Sequence, residues 1–233
     1  TDGLQCVART VEHCVNLLDP EAVNAYLEAV YRDAWFDRLG DQFGQTIEGV
    51  WVDEPSFPPT GYGLHQVPWG DALLDEFQER WGYDLLAHVP QIFTREGAWR
   101  RTRYHYRRAL QDLFGRAYFQ SVHDWCEQHG VNFTGHLMSE DTLSGQIQSG
   151  VCTMPYYRHM HLPGIDHLTS SLRWPRGYED GARFILTPRQ CSSAAGQNGQ
   201  ERVLAEVYGV TTNALSFAGR RRIGDWMALH GVN

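Results

Sequence analysis

The 233 residues carry 20 basic against 28 acidic side chains, a net charge of -8, with 42% apolar and 12% aromatic residues. That balance is ordinary for a globular domain, and its acidic excess argues against nucleic acid or an anionic membrane as the main partner. The length suits one domain with a full core and falls just short of the roughly 250 residues that an α/β barrel takes.

In chain order, residues 3–8 read as the end of a strand. Asp19-Pro20-Glu21 is a helix start, with Asp as N-cap and Pro at the first helical position. That helix should run to about Leu39 and stop at Gly40. The apolar core Ile47–Val52 reads as a buried strand ended by Pro55. A Pro/Gly-rich loop, Ser56 to Gly70, leads to a short helix, 71–81, closed by Gly82. The longest helix runs from about Arg103 to His129. Its apolar positions Leu110, Leu113, Phe114, Ala117, Tyr118, Val122, Trp125 and Cys126 have the three- and four-residue spacing of one buried face.

Residues 131–137 form the next strand. An irregular stretch, Ser139 to Pro163, leads to a strand at 164–168 and then a Trp/Arg/Gly-rich loop. Thr187-Pro188 caps a helix ending near Gly196–Gly199, and 201–209 is a strand. Ser216 caps a last helix, 217–230, and Val232-Asn233 reads as the start of a further strand. Strands alternating with helices imply a parallel sheet with helical crossovers. Long loops follow the strands and short turns follow the helices, as in a (β/α)8 TIM barrel, whose functional loops lie at the strands' C-terminal ends. About six strands are legible where a barrel needs eight, so the expectation is an incomplete barrel, about strand three to strand eight. The remaining strands and accessory domains would belong to a longer chain.

No GxGxxG or GxxxxGK[ST] occurs, and no cofactor is expected. The five cysteines (Cys6, Cys14, Cys126, Cys152 and Cys191) are scattered without a CxxC, which gives no zinc, redox or disulfide framework and favours a cytoplasmic protein. No apolar run is long enough to span a bilayer. His159, His161 and His167 lack a metal-ligand spacing, so no metal is expected. Trp99–Arg108 interleaves five arginines with aromatics. In an acidic chain this reads as a solvated helix face, with Arg103 or Tyr104 as candidates to reach a pocket.

Hydrolysis of a glycosidic bond needs two carboxyl groups, one to protonate the leaving oxygen and one to attack or to activate water. Glu54 ends GVWVDE just before Pro55, and Glu206 lies late in RVLAEVYG. Both sit within apolar strands, where an unpaired charge is costly. They are the expected catalytic pair. Around them, Asp53, His136, Asp166, His167 and Tyr208 are candidates to bind substrate, as is Glu140, which is also a rival catalytic acid. Trp69 is the preferred sugar platform, ahead of Trp51.

The segments TIEGVWVDEPS, VNFTGHLMSED, MHLPGIDHL and ERVLAEVYG with RIGDWMALHGVN resemble a group of bacterial glycosyl hydrolases, similar to the family 106 α-L-rhamnosidases and to clan A β-glycosidases. The resemblance covers nearly the whole chain. It implies a barrel with Glu54 on strand four as the acid and Glu206 on strand seven as nucleophile or base. Clan A enzymes carry Asn before the strand-four Glu, where this chain has Asp53. Family 106 implies inversion and a calcium ion. Two other readings remain open: a catalytically silent carbohydrate-binding barrel, and an open α/β sheet in which Glu54 and Glu206 do not converge.

Overall fold

The computed structural model describes residues 14–57, 67–168, 178–211 and 213–233. The expected strand at 3–8, most of the loop 56–70 and the loop after Leu168 lie outside these residues.

Asp19 caps the first helix as its position requires. Its carboxylate accepts the Glu21 N–H at 2.9 Å, and Pro20 occupies a position whose N–H would have no partner. This helix, α1 (Pro20–Tyr26), continues through a π-helical stretch (Leu27–Phe36) and a last turn (Asp37–Leu39). β1 (Gly49–Asp53) follows, then α2 (Ala72–Trp81), which Gly82 ends in the left-handed conformation. α3 (Trp99–Phe114) passes through a π-helical stretch (Gly115–Gln120) into α4 (Ser121–Gln128). All the apolar positions read from the sequence along this helix are buried.

β2 (Asn132–His136) comes next. The stretch expected to be irregular holds two short helices, α5 (Leu143–Ser149), capped by the Thr142 hydroxyl, and α6 (Met154–Tyr157). β3 (Leu162–His167) leads to α7 (Tyr178–Asn198), then β4 (Leu204–Val207) and α8 (Phe217–Leu229), whose cap is Ser216 as expected. α7 corrects the expected start at Thr187. Pro188 lies inside the helix, where it forfeits a backbone hydrogen bond. Gly181 and Pro188, both poor helix formers, hid the early turns.

Of the six expected strands, that at 3–8 lies outside the described residues, and four of the other five are present. Val232-Asn233 is not a strand, although the Asn233 N–H donates to the Val203 carbonyl at 3.2 Å. The strands are parallel and lie in the order β1-β2-β3-β4, without a swap. Register separates two faces. Val52, Phe133, Ile165 and His167 point into the helix-covered core and are buried. Trp51, Asp53, Thr134, His136, Asp166 and Glu206 share the other face.

Two glycines allow the strands to approach this closely. A Cβ on Gly135, whose φ is 135°, would lie 2.1 Å from the Val52 carbonyl oxygen, and one on Gly164 would lie 2.5 Å from that of Gly135. Among the described residues no helix is long and apolar enough to cross a membrane.

Candidate active site

The acid-bearing face ends in a cluster at the strands' C-terminal edge. His136 closes β2 and is 1% exposed. Its Nε2 lies 3.2 Å from Asp53 Oδ1 and 3.2 Å from Glu206 Oε2. Thus one imidazole bridges a carboxylate from β1 and one from β4. Ligand atoms of Asp53, His136 and Glu206 all fall within 4.8 Å of one another, and so do those of Glu54, His136 and Asp166. On a flat sheet β1 and β4 would stand three strand spacings apart, roughly 14 Å. For Asp53 and Glu206 to meet, the sheet must curl toward this face.

The backbone reinforces the placement. Glu54 has φ 54° and Tyr208 φ 69°, both in the left-handed region. For a residue with a Cβ this costs about 1–2 kcal/mol. Strain of this kind persists where the surroundings hold it, and it collects at functional sites. Here it turns the chain sharply just after β1 and β4.

The electrostatics follow from burial and crowding. Asp166 is pushed up to about 6 by burial, opposed by His136 and reinforced by the charges of Glu206, Glu54 and Asp53. Its Oδ1 is buried without a protein partner. So Asp166 takes up a proton just below neutral pH, while its carboxyl stands within 4.8 Å of that of Glu54. His136 Nδ1 is likewise buried and without a protein partner.

Calcium, the ion that the family resemblance implies, fits this cluster poorly. It takes six to eight oxygen ligands, and each triad supplies an imidazole nitrogen with two carboxylates.

The other expected residues are placed as follows. Trp51, 40% exposed, stands with its ring centroid 5.7 Å from that of His136. Trp69 is partly buried and packs against the core. The ring beside the cluster is therefore Trp51. His167 follows Asp166 in β3, and strand alternation turns it to the opposite face. There its ring lies 5.3 Å from that of Trp226, and burial lowers its pKa to about 4. The Tyr208 hydroxyl donates to the Arg220 carbonyl at 3.2 Å, which ties the end of β4 to α8.

Glu140 is 3% exposed and has both carboxyl oxygens engaged, by the Asp166 N–H and by the Tyr157 hydroxyl. Tyr157 carried no signal in the sequence, because it lies in the stretch read as irregular. Arg103 bonds the Gln91 and Thr94 carbonyls, and Tyr104 is 66% exposed. His161 does not meet His167. Its Nδ1 accepts the Phe133 N–H and its Nε2 contacts Glu127, so both nitrogens are engaged.

A family model for glycosyl hydrolase family 106, described as alpha-L-rhamnosidase, matches residues 8–233. The structure is similar to that of a rhamnosidase from Novosphingobium sp. PP1Y, with a TM-score of 0.71 at 22% identity. That match covers 93% of this chain and 20% of the other, so this chain spans a fifth of that rhamnosidase's length. At this identity the likeness is one of fold. No curated protein matches the chain.

Proposed function

Since the chain belongs to glycosyl hydrolase family 106, the alpha-L-rhamnosidases, we propose that it is part of a catalytic domain that removes α-L-rhamnosyl groups from a glycan or glycoside. The observation that carries this reading is the convergence of Glu54 and Asp166, and of Asp53 and Glu206, on the single buried His136. An open sheet whose two glutamates lie apart would not produce it.

Glu54 is assigned as the general acid and Glu206 as the general base. Glu54 protonates the glycosidic oxygen as its bond to the anomeric carbon breaks. Glu206 takes a proton from the water that attacks the opposite face of that carbon, and the product has inverted configuration. Asp166 keeps a proton available beside Glu54. Asp53 lies within 4.8 Å of Glu206, closer than the roughly 6.5–9.5 Å that leaves room for an attacking water. Its role is to hold His136, which in turn orients Glu206. Trp51 offers an exposed ring face for the sugar's C–H surface.

The four strands are assigned to the wall of a (β/α)8 barrel, as strands four to seven. Sequential parallel order, the inward curl and acids at the C-terminal edge support this. The remaining strands and accessory domains are assigned to a longer chain.

The test is to follow the full-length protein by proton NMR with 4-nitrophenyl α-L-rhamnopyranoside. Release of β-L-rhamnose first supports the assignment. Release of the α anomer first contradicts the single displacement. Rhamnoside binding without release overturns the hydrolase reading in favour of a silent carbohydrate-binding barrel.

A further inference from the structure

The pairing of β2 with β3 ends at Gly135 and Pro163. Beyond that point no strand partner meets the Asp166 N–H on the β2 side. A side chain takes the place of the missing ladder: Glu140 Oε1 accepts that N–H at 2.6 Å. Glu140 Oε2 accepts the Tyr157 hydroxyl at 3.0 Å. The Glu140 carbonyl takes the Gln146 side-chain amide at 2.8 Å and the Thr187 hydroxyl at 3.4 Å. One residue thus fastens the loop after β2 to α5, α6, β3 and α7.

One oxygen of the Asp166 carboxyl, Oδ1, is buried without a protein partner. What places that carboxyl beside Glu54 and His136 is the backbone beneath it. We propose that Glu140 is a positioning residue, which grips the Asp166 N–H where the β2–β3 ladder has run out and so fixes the Asp166 carboxyl in the acid cluster. This rests on the glycosidase reading of that cluster.

The titratable groups facing Glu140 are Tyr157 from α6, Asp166 from β3 and Cys191 from α7. None is a cation. Burial accordingly pushes the Glu140 carboxyl up to about 8, and at neutral pH it serves as a neutral hydrogen-bonding group. It does not deliver a proton to substrate.

The test compares Glu140→Ala and Glu140→Gln in the full-length protein. Gln keeps an oxygen for the Asp166 N–H and can turn its amide toward the Tyr157 oxygen. Glu140→Ala is expected to lower kcat per folded molecule roughly 10- to 100-fold with KM little changed, the scale of a misplaced reacting group. Glu140→Gln is expected to restore most of it. Independently of turnover, the carbon-13 signal of the Asp166 side-chain carboxyl should titrate near pH 6 in the wild type. That midpoint should move in Glu140→Ala and stay in Glu140→Gln. If Glu140→Ala does not fold, Glu140→Asp, one methylene too short to reach the N–H, takes its place with the same expectation. Unchanged kcat together with an unmoved midpoint overturns the proposal. A wild type that releases no rhamnose defeats the glycosidase reading, and the NMR titration still decides whether Glu140 positions Asp166.

Discussion

Replacing Glu140 with Gln should change how stability responds to pH, by an amount the structure sets. Burial moves this carboxyl from an ordinary value of 4.5 to about 8. The folded chain therefore holds the proton more tightly than the unfolded chain does. The stability from this group is complete below about pH 4.5 and is lost as pH rises through about 8. At about 1.4 kcal/mol per tenfold change in proton affinity, the loss between pH 5 and 8.5 is about 4 kcal/mol. Gln carries no titrating proton and removes this part of the slope. Asp166, His159 and His167 also have displaced pKa values, but they are common to both proteins and cancel in the difference. The assay is urea unfolding at pH 5 and pH 8.5 for the wild type and Glu140→Gln. A wild type that loses several kcal/mol more than the variant supports the account. Parallel slopes would refute the claim that Glu140 is buried and neutral.

Other outcomes follow from the same geometry. Glu54→Gly should abolish rhamnoside turnover while the melting temperature holds or rises, because glycine relieves a left-handed backbone worth about 1 kcal/mol; a lower melting temperature would mean that the strain is not there. Gly135→Ala should destabilise the fold by about 1–3 kcal/mol or more, since its Cβ would lie 2.1 Å from the Val52 carbonyl oxygen; chemical unfolding measures this, and a neutral result would contradict the strand packing. Trp51→Ala should raise KM severalfold with kcat and melting temperature little changed, as befits a 40% exposed ring beside the cluster; steady-state kinetics separates that from a structural loss.

The sequence made the strands legible because each is a short run set between helical segments, with Pro55 just beyond β1 and Gly209 just beyond β4. It also made the ends of β1 and β4 legible as places for carboxylates. Which neighbours join them was harder to read. Asp166 and His167 looked equivalent, yet alternation along β3 sends one to the cluster and the other to the core beside Trp226. Trp69, near the loop after β1, looked better placed than Trp51, but packing draws it toward the core. Glu140 was legible only as an acid near a strand end. Its partner Tyr157 comes from α6, and nothing local in the sequence announces a contact between residues that far apart. The Glu54 backbone conformation was equally hidden, since Glu before Pro signals an extended residue and φ here is 54°.

The most direct test is the kcat of full-length Glu206→Gln on 4-nitrophenyl α-L-rhamnopyranoside, with rhamnose binding measured alongside. The account predicts a loss of roughly a hundredfold to ten-thousandfold in kcat, the scale of a missing general base, with rhamnose affinity within about threefold of wild type, less than 1 kcal/mol. Turnover at the wild-type level would remove Glu206 from the chemistry and with it the two-carboxylate assignment.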